Sequence, residues 1–105
     1  MDELLRMIRS MGFPFAYDHF AEGESPSPPF LVYLLPESKH FPADGKVYHR
    51  ITAVQLELYT DRKDPELECA VETVLDFNGV FYRRSETWID SEKLYEVLYS
   101  FEWEE

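Results

Sequence analysis

The sequence predicts an α+β domain: a mainly antiparallel sheet with two helices packed against it, in the order α-β-β-β-α-β-β. Three observations carry this. Val54, Leu56 and Leu58 alternate with Gln55, Glu57 and Tyr59, the period of a strand with one buried face. Asp64-Pro65 then opens a helix. Asp64 can accept from free backbone N–H groups, and Pro65 suits the first helical position, where no N–H is needed. Near the end, Tyr95, Val97, Tyr99, Phe101 and Trp103 alternate without a break.

The elements follow in chain order. Met1, Leu4, Leu5, Ile8 and Met11 make one apolar face of a short helix, with Asp2 and Glu3 at its positive end. Gly12 and Phe13-Pro14 stop it. Residues 15–20 form a short strand with Phe15, Tyr17 and His19 on one face. Residues 22–29 hold Gly23 and three of the seven prolines, so they read as a loop too short to separate domains. The apolar run 30–35 suits a buried central strand ended by Pro36.

Residues 37–45 read as a second long connection, with Pro42 and Asp44-Gly45 as turn signals. If the flanking strands pair antiparallel, this is a hairpin loop of roughly ten residues, beyond the usual length. Loops of that kind often carry function, so Lys39, His40 and Phe41 at its tip are the candidate partner contacts.

After the strand from Val47 comes the helix, with Leu67, Ala70, Val71, Val74 and Leu75 on its apolar face and Asn78-Gly79 as stop. Residues 80–89 continue as a strand, and Asp90-Ser91 is a turn. Residues 93–103 also fit a helix capped by Ser91, but sustained alternation of Tyr, Val, Phe and Trp favours a strand.

A chain of 105 residues is one domain, spanning residues 1–105, long enough for a core without metal or disulfide. The 17 aromatics suit a sheet-rich core, with some left over for a surface. Cys69 stands alone, its sequence neighbours acidic or apolar, and reads as a partly buried structural thiol. A reducing cytoplasm suits it. No basic signal start and no run of membrane-spanning length is expected here.

Net charge is −11, which argues against a DNA-binding surface and against docking to anionic membranes. Apart from solubility, the acidity suits a mimic of DNA or the lining of a passage to which DNA must not adhere. His19, His40 and His49 are spread along the chain, and no zinc-type spacing, Gly-rich phosphate loop or nucleophile elbow occurs. Asp61, Asp64, Glu66 and Glu68 complement a helix N-terminus rather than form a cation site. Arg83 and Arg84 fall on opposite faces of a strand and make no single patch. No catalytic, cofactor-binding or metal residue is assigned, so no cofactor and no enzymatic activity is expected.

Two stretches carry a resemblance. Tyr59-Thr60-Asp61-Arg62-Lys63-Asp64-Pro65-Glu66-Leu67-Glu68 and Thr87-Trp88-Ile89-Asp90-Ser91-Glu92-Lys93-Leu94-Tyr95-Glu96-Val97-Leu98-Tyr99 resemble the small tail-completion proteins of long-tailed phages and prophages. The strand at 30–35 and the entry Asp44-Gly45-Lys46-Val47-Tyr48 fit the same pattern. The resemblance implies an antiparallel sheet with helices against it. It also implies a tail terminator: a homo-hexameric ring that caps the tail tube, partners the tail-tube and head-connector proteins, and resides in the virion after assembly in the host cytoplasm. Its motifs are structural, with no catalytic or ligand signature. The alternatives are an acidic DNA mimic that inhibits a nucleic-acid-binding protein, and a small enzyme of unknown reaction.

Overall fold

The computed structural model describes residues 2–43 and 46–104, with the backbone alone for residues 41, 43 and 46–49. Its elements are α1 (Asp2–Ser10), β1 (Phe15–Tyr17), β2 (Phe30–Ala43), β3 (Lys46–Thr60), α2 (Pro65–Phe77), β4 (Tyr82–Ile89) and β5 (Leu94–Glu104). The order is the expected α-β-β-β-α-β-β. The fold is α+β, with one five-stranded sheet in the spatial order β1-β2-β3-β5-β4. Among the described strands, only the β1–β2 pair is parallel. β3 and β4 therefore run the same way with β5 between them, α2 making the connection.

Alternation sorts the sheet into two faces. Val54, Leu56 and Leu58 of β3 and Val97, Tyr99 and Phe101 of β5 pair across the register and are buried under the helices. Leu4, Met7, Ile8 and Met11 of the first helical segment and Val71 and Leu75 of α2 complete that core. Burying Leu-sized side chains is worth roughly 1.5–3 kcal/mol each, so this one layer supplies most of the driving force. Among the described residues, the opposite face has no helix packed on it. Phe20, in the segment between β1 and β2, meets Phe30 there at 5.3 Å, and Phe30 stacks on Tyr59 at 5.2 Å.

Several local expectations hold. Asp64 caps α2, its Oδ1 accepting from the Leu67 N–H at 3.3 Å. The 94–104 segment is a strand, and a turn around Asp90 joins it to β4. Lys93 closes that turn in the left-handed region, with φ 55°.

Others are corrected. The strand at 15 ends at Tyr17 rather than residue 20, because Asp18 turns into the left-handed region at φ 64°. Pro36 does not end β2. The strand runs to Ala43, and β3 begins at Lys46, so the expected ten-residue loop is a β-ribbon with two residues between its strands. Register shifts between Leu34 and Glu37 and between Phe41 and Pro42 accommodate both prolines where the ladder is already irregular. The Asp44-Gly45 turn and Met1 lie outside the described residues. On α2, Ala70 faces solvent and Glu68 is buried in its stead. Cys69 is exposed, its Sγ 3.8 Å from Thr73 Oγ1, because it points away from the stripe of Val71 and Leu75.

Candidate interaction surface

β5 pairs with β3 only from Ile51 to Thr60, and β1 pairs with β2 only from Leu31 to Tyr33. Beyond those limits, residues 40–43 and 46–50 have only each other as strand partners among the described residues. At about 3.4 Å per residue, the five residues of β3 past Ile51 form an arm that projects roughly 17 Å. It helps stretch the molecule to 51 Å along its longest axis. His40 and Phe41 lie in this arm, opposite Arg50 and His49, and Lys39 stands at its root opposite Ile51. Lys39 and His40 are exposed, while the Phe41 side chain lies outside the described residues. These three positions are thus on a paired strand rather than at a loop tip.

A second feature escaped the sequence reading. Phe77, the last residue of α2, and Phe81, just before β4, are 89% and 96% exposed. They flank the corner where Asn78 caps the helix and Gly79 takes φ 70°. The signal was present. Phe77 falls opposite Val71 and Leu75 at 100° per residue, and Phe81 alternates with Val80 and Tyr82, which pack on the core. Two open grooves meet at this corner. One, of about 580 Å³, runs between α1 and α2 past Met7, Val74, Phe77 and Trp103. The other, of about 960 Å³, crosses the sheet end past Pro36, Ile51, Phe81 and Trp103. Two large apolar side chains left this exposed beside each other make the corner a candidate contact surface.

Two polar clusters lie elsewhere. Buried Glu68 bonds Arg84 and receives Lys63 Nζ at 2.8 Å, and both cations also reach Glu86, at 3.1 and 2.9 Å. Burial pulls the Arg84 guanidinium down, yet Glu68 and Glu86 outweigh it and hold it above its ordinary value. Lys63 and Arg84 hold the exposed Glu86 below the usual carboxylate range. This network ties the start of α2 to β4. Arg83 points to the other face, as expected of neighbours on a strand.

On the helix-free face, Tyr59 Oη lies 3.0 Å from Glu57 and 2.8 Å from Glu96. A phenol has one proton, so it donates to one carboxylate at a time. Burial, first, and the hydrogen bond to Glu96 push the Tyr59 hydroxyl well above its usual value. Burial likewise raises Glu57, partly offset by the Tyr59 hydrogen bond. Acids with raised affinity for protons are candidates for proton transfer when they face a substrate cavity. Glu57, Tyr59 and Glu96 line neither groove.

Among the described residues, no group of three or more His, Cys, Asp or Glu side chains is placed to hold a metal ion. No described helix is long and apolar enough to cross a membrane. His19 pairs with Asp18 at 2.9 Å on the surface. Compared with known proteins, the chain matches no family model and no curated protein sequence.

Proposed function

We propose that this chain is a structural phage protein, a tail terminator that assembles as a ring on the end of the tail tube and joins it to the head connector. The observation that carries this reading is the two-stranded arm, whose two strands extend beyond the part of β3 that pairs with β5 and so reach past the domain's own core. An arm of that kind contributes little to a monomer's core and much to contact with a neighbour. The exposed Phe77–Phe81 corner supplies a second, distinct contact surface. Stopping polymerisation needs one face that matches the tube subunit and another that does not, which is binding specificity rather than catalysis. The resemblance of residues 59–68 and 87–99 to tail-completion proteins points the same way, and a net charge of −11 suits a passage through which DNA slides.

The DNA-mimic reading has less support. It needs free carboxylates spaced on one continuous face, whereas Glu68 and Glu86 are spent on Lys63 and Arg84.

Light scattering and negative-stain imaging test the proposal, on the protein alone and with a candidate tail-tube protein. Ring-shaped oligomers, or tubes bearing a ring at one end, are expected. A 12.5 kDa monomer that ignores tubes and instead binds a basic nuclease or repressor would favour the DNA mimic.

A further inference from the structure

We propose that the arm of one copy seats against the Phe77–Phe81 corner of a second copy, so that subunits join head to tail. This deepens the ring reading above and rests on it for the number of copies.

The charge of the two surfaces is complementary. Residues 37–50 carry three of the chain's ten basic residues and two of its three histidines, but only two of its 21 acids. The rest of the molecule holds the acidic excess. Glu3 lines both grooves at the corner, Glu102 lines the larger, and Asp76 precedes Phe77 in α2. The only basic residues lining these grooves are Arg6 and Arg83, among the described residues.

The apolar content also matches. The arm interleaves Phe41, Pro42, Val47 and Tyr48 with its basic residues. The corner offers two phenylalanine rings that water otherwise covers almost completely. Aromatic side chains of this size bury roughly 150–250 Å² each, enough to anchor an interface whose rim is charged.

Geometry assigns the occupant to another copy. The larger groove is lined by Pro36 and Ile51, which are the root of the arm itself. The arm continues the strand direction away from that root, so it leaves its own corner behind. A donor surface and a different acceptor surface on each subunit make a heterologous contact, which closes into a ring when the rotation between copies divides a full turn.

Two surface variants test this. Phe77→Ser with Phe81→Ser removes the acceptor, and Lys39→Glu with His40→Glu reverses the donor. All four positions are exposed, so the urea midpoint serves as a check that each variant folds as the parent does. Masses are measured by light scattering, alone and with tail-tube protein. The parent is expected to form oligomers in at least one condition, and each variant to stay at 12.5 kDa in that condition. An equimolar mixture of the two variants retains one intact arm and one intact corner, so it is expected to give pairs of twice that mass and nothing larger. Variants that keep the parent's mass, or a mixture that forms no pairs, would overturn the proposal while leaving a ring built by other surfaces. The expected masses together with oligomers that ignore tubes would uphold the arm contact and sink the terminator reading. A parent that stays monomeric in both conditions would overturn both.

Discussion

Tyr99 of β5 donates a hydrogen bond to Glu72 of α2 at 2.7 Å, and this contact fixes the helix over the centre of the sheet. Tyr99 is fully buried, with Leu56 opposite it on β3 and Arg84 opposite it on β4. Arg84 Nε also lies 3.4 Å from the same Glu72 carboxylate. One phenol, one guanidinium and one carboxylate therefore link three elements at the edge of an otherwise apolar layer. Burial, and then the bond to Glu72, push the Tyr99 hydroxyl well above its usual value, so it stays a donor at any physiological pH.

Tyr99→Phe keeps the ring and removes only that bond. Glu72 retains Arg84 and some access to water, so the loss is expected to be about 1 kcal/mol. For a domain of this size that corresponds to a melting temperature lower by roughly 4–8 °C. Thermal unfolding followed by circular dichroism measures it, and an unchanged melting temperature would mean that the bond holds nothing in place.

Glu68→Ala removes the carboxylate at the centre of the α2–β4 network. Breaking a fully buried ion pair costs about 3–5 kcal/mol. Here Lys63 and Arg84 are 39% and 30% exposed and can turn to water, so a loss of about 1–2 kcal/mol is expected. Glu86→Ala, at the exposed end of the same network where solvent screens the pair, is expected to leave the urea midpoint close to the parent's. Urea unfolding of both variants checks the contrast.

Periodicity made much of this fold legible, and the reasons it stopped are physical. Asp64 and Pro65 announced α2 because capping is local chemistry, and the Tyr95–Trp103 alternation announced β5 because one face is buried throughout. The arm was missed because Pro36 and Pro42 read as breaks, whereas both are accommodated at register irregularities of a ribbon. Buried Glu68 was missed because its partner Arg84 is 16 residues away, and helical spacing alone favoured Ala70 for the core. Lys39, His40 and Phe41 were placed at a loop tip for its length, but the length belongs to paired strands. The Phe77–Phe81 corner was readable from the spacing of its neighbours, had their outward direction been followed.

Glu57 gives the expected pH dependence. Burial raises its carboxyl above the ordinary 4.5, the Tyr59 hydrogen bond lowers it in part, and Glu96 and Asp18 raise it again. The folded state thus favours the protonated form. The resulting stability is complete below 4.5 and is lost as pH rises through the raised value. Glu57→Gln stays uncharged, so it is expected to match the parent at pH 4 and to exceed it in stability at pH 7. Urea midpoints across that range test the sign; a variant weaker than the parent at pH 7 would show that Glu57 is stabilising as an anion.

The most direct test of the central claim is arrest of tube growth. Tail-tube protein is set polymerising, this protein is added at a fixed time, and tube lengths are measured by electron microscopy. A terminator freezes the mean length at the moment of addition and leaves a ring on one end of each tube. Tubes that keep lengthening with bare ends, at concentrations in excess of tube ends, would contradict the account.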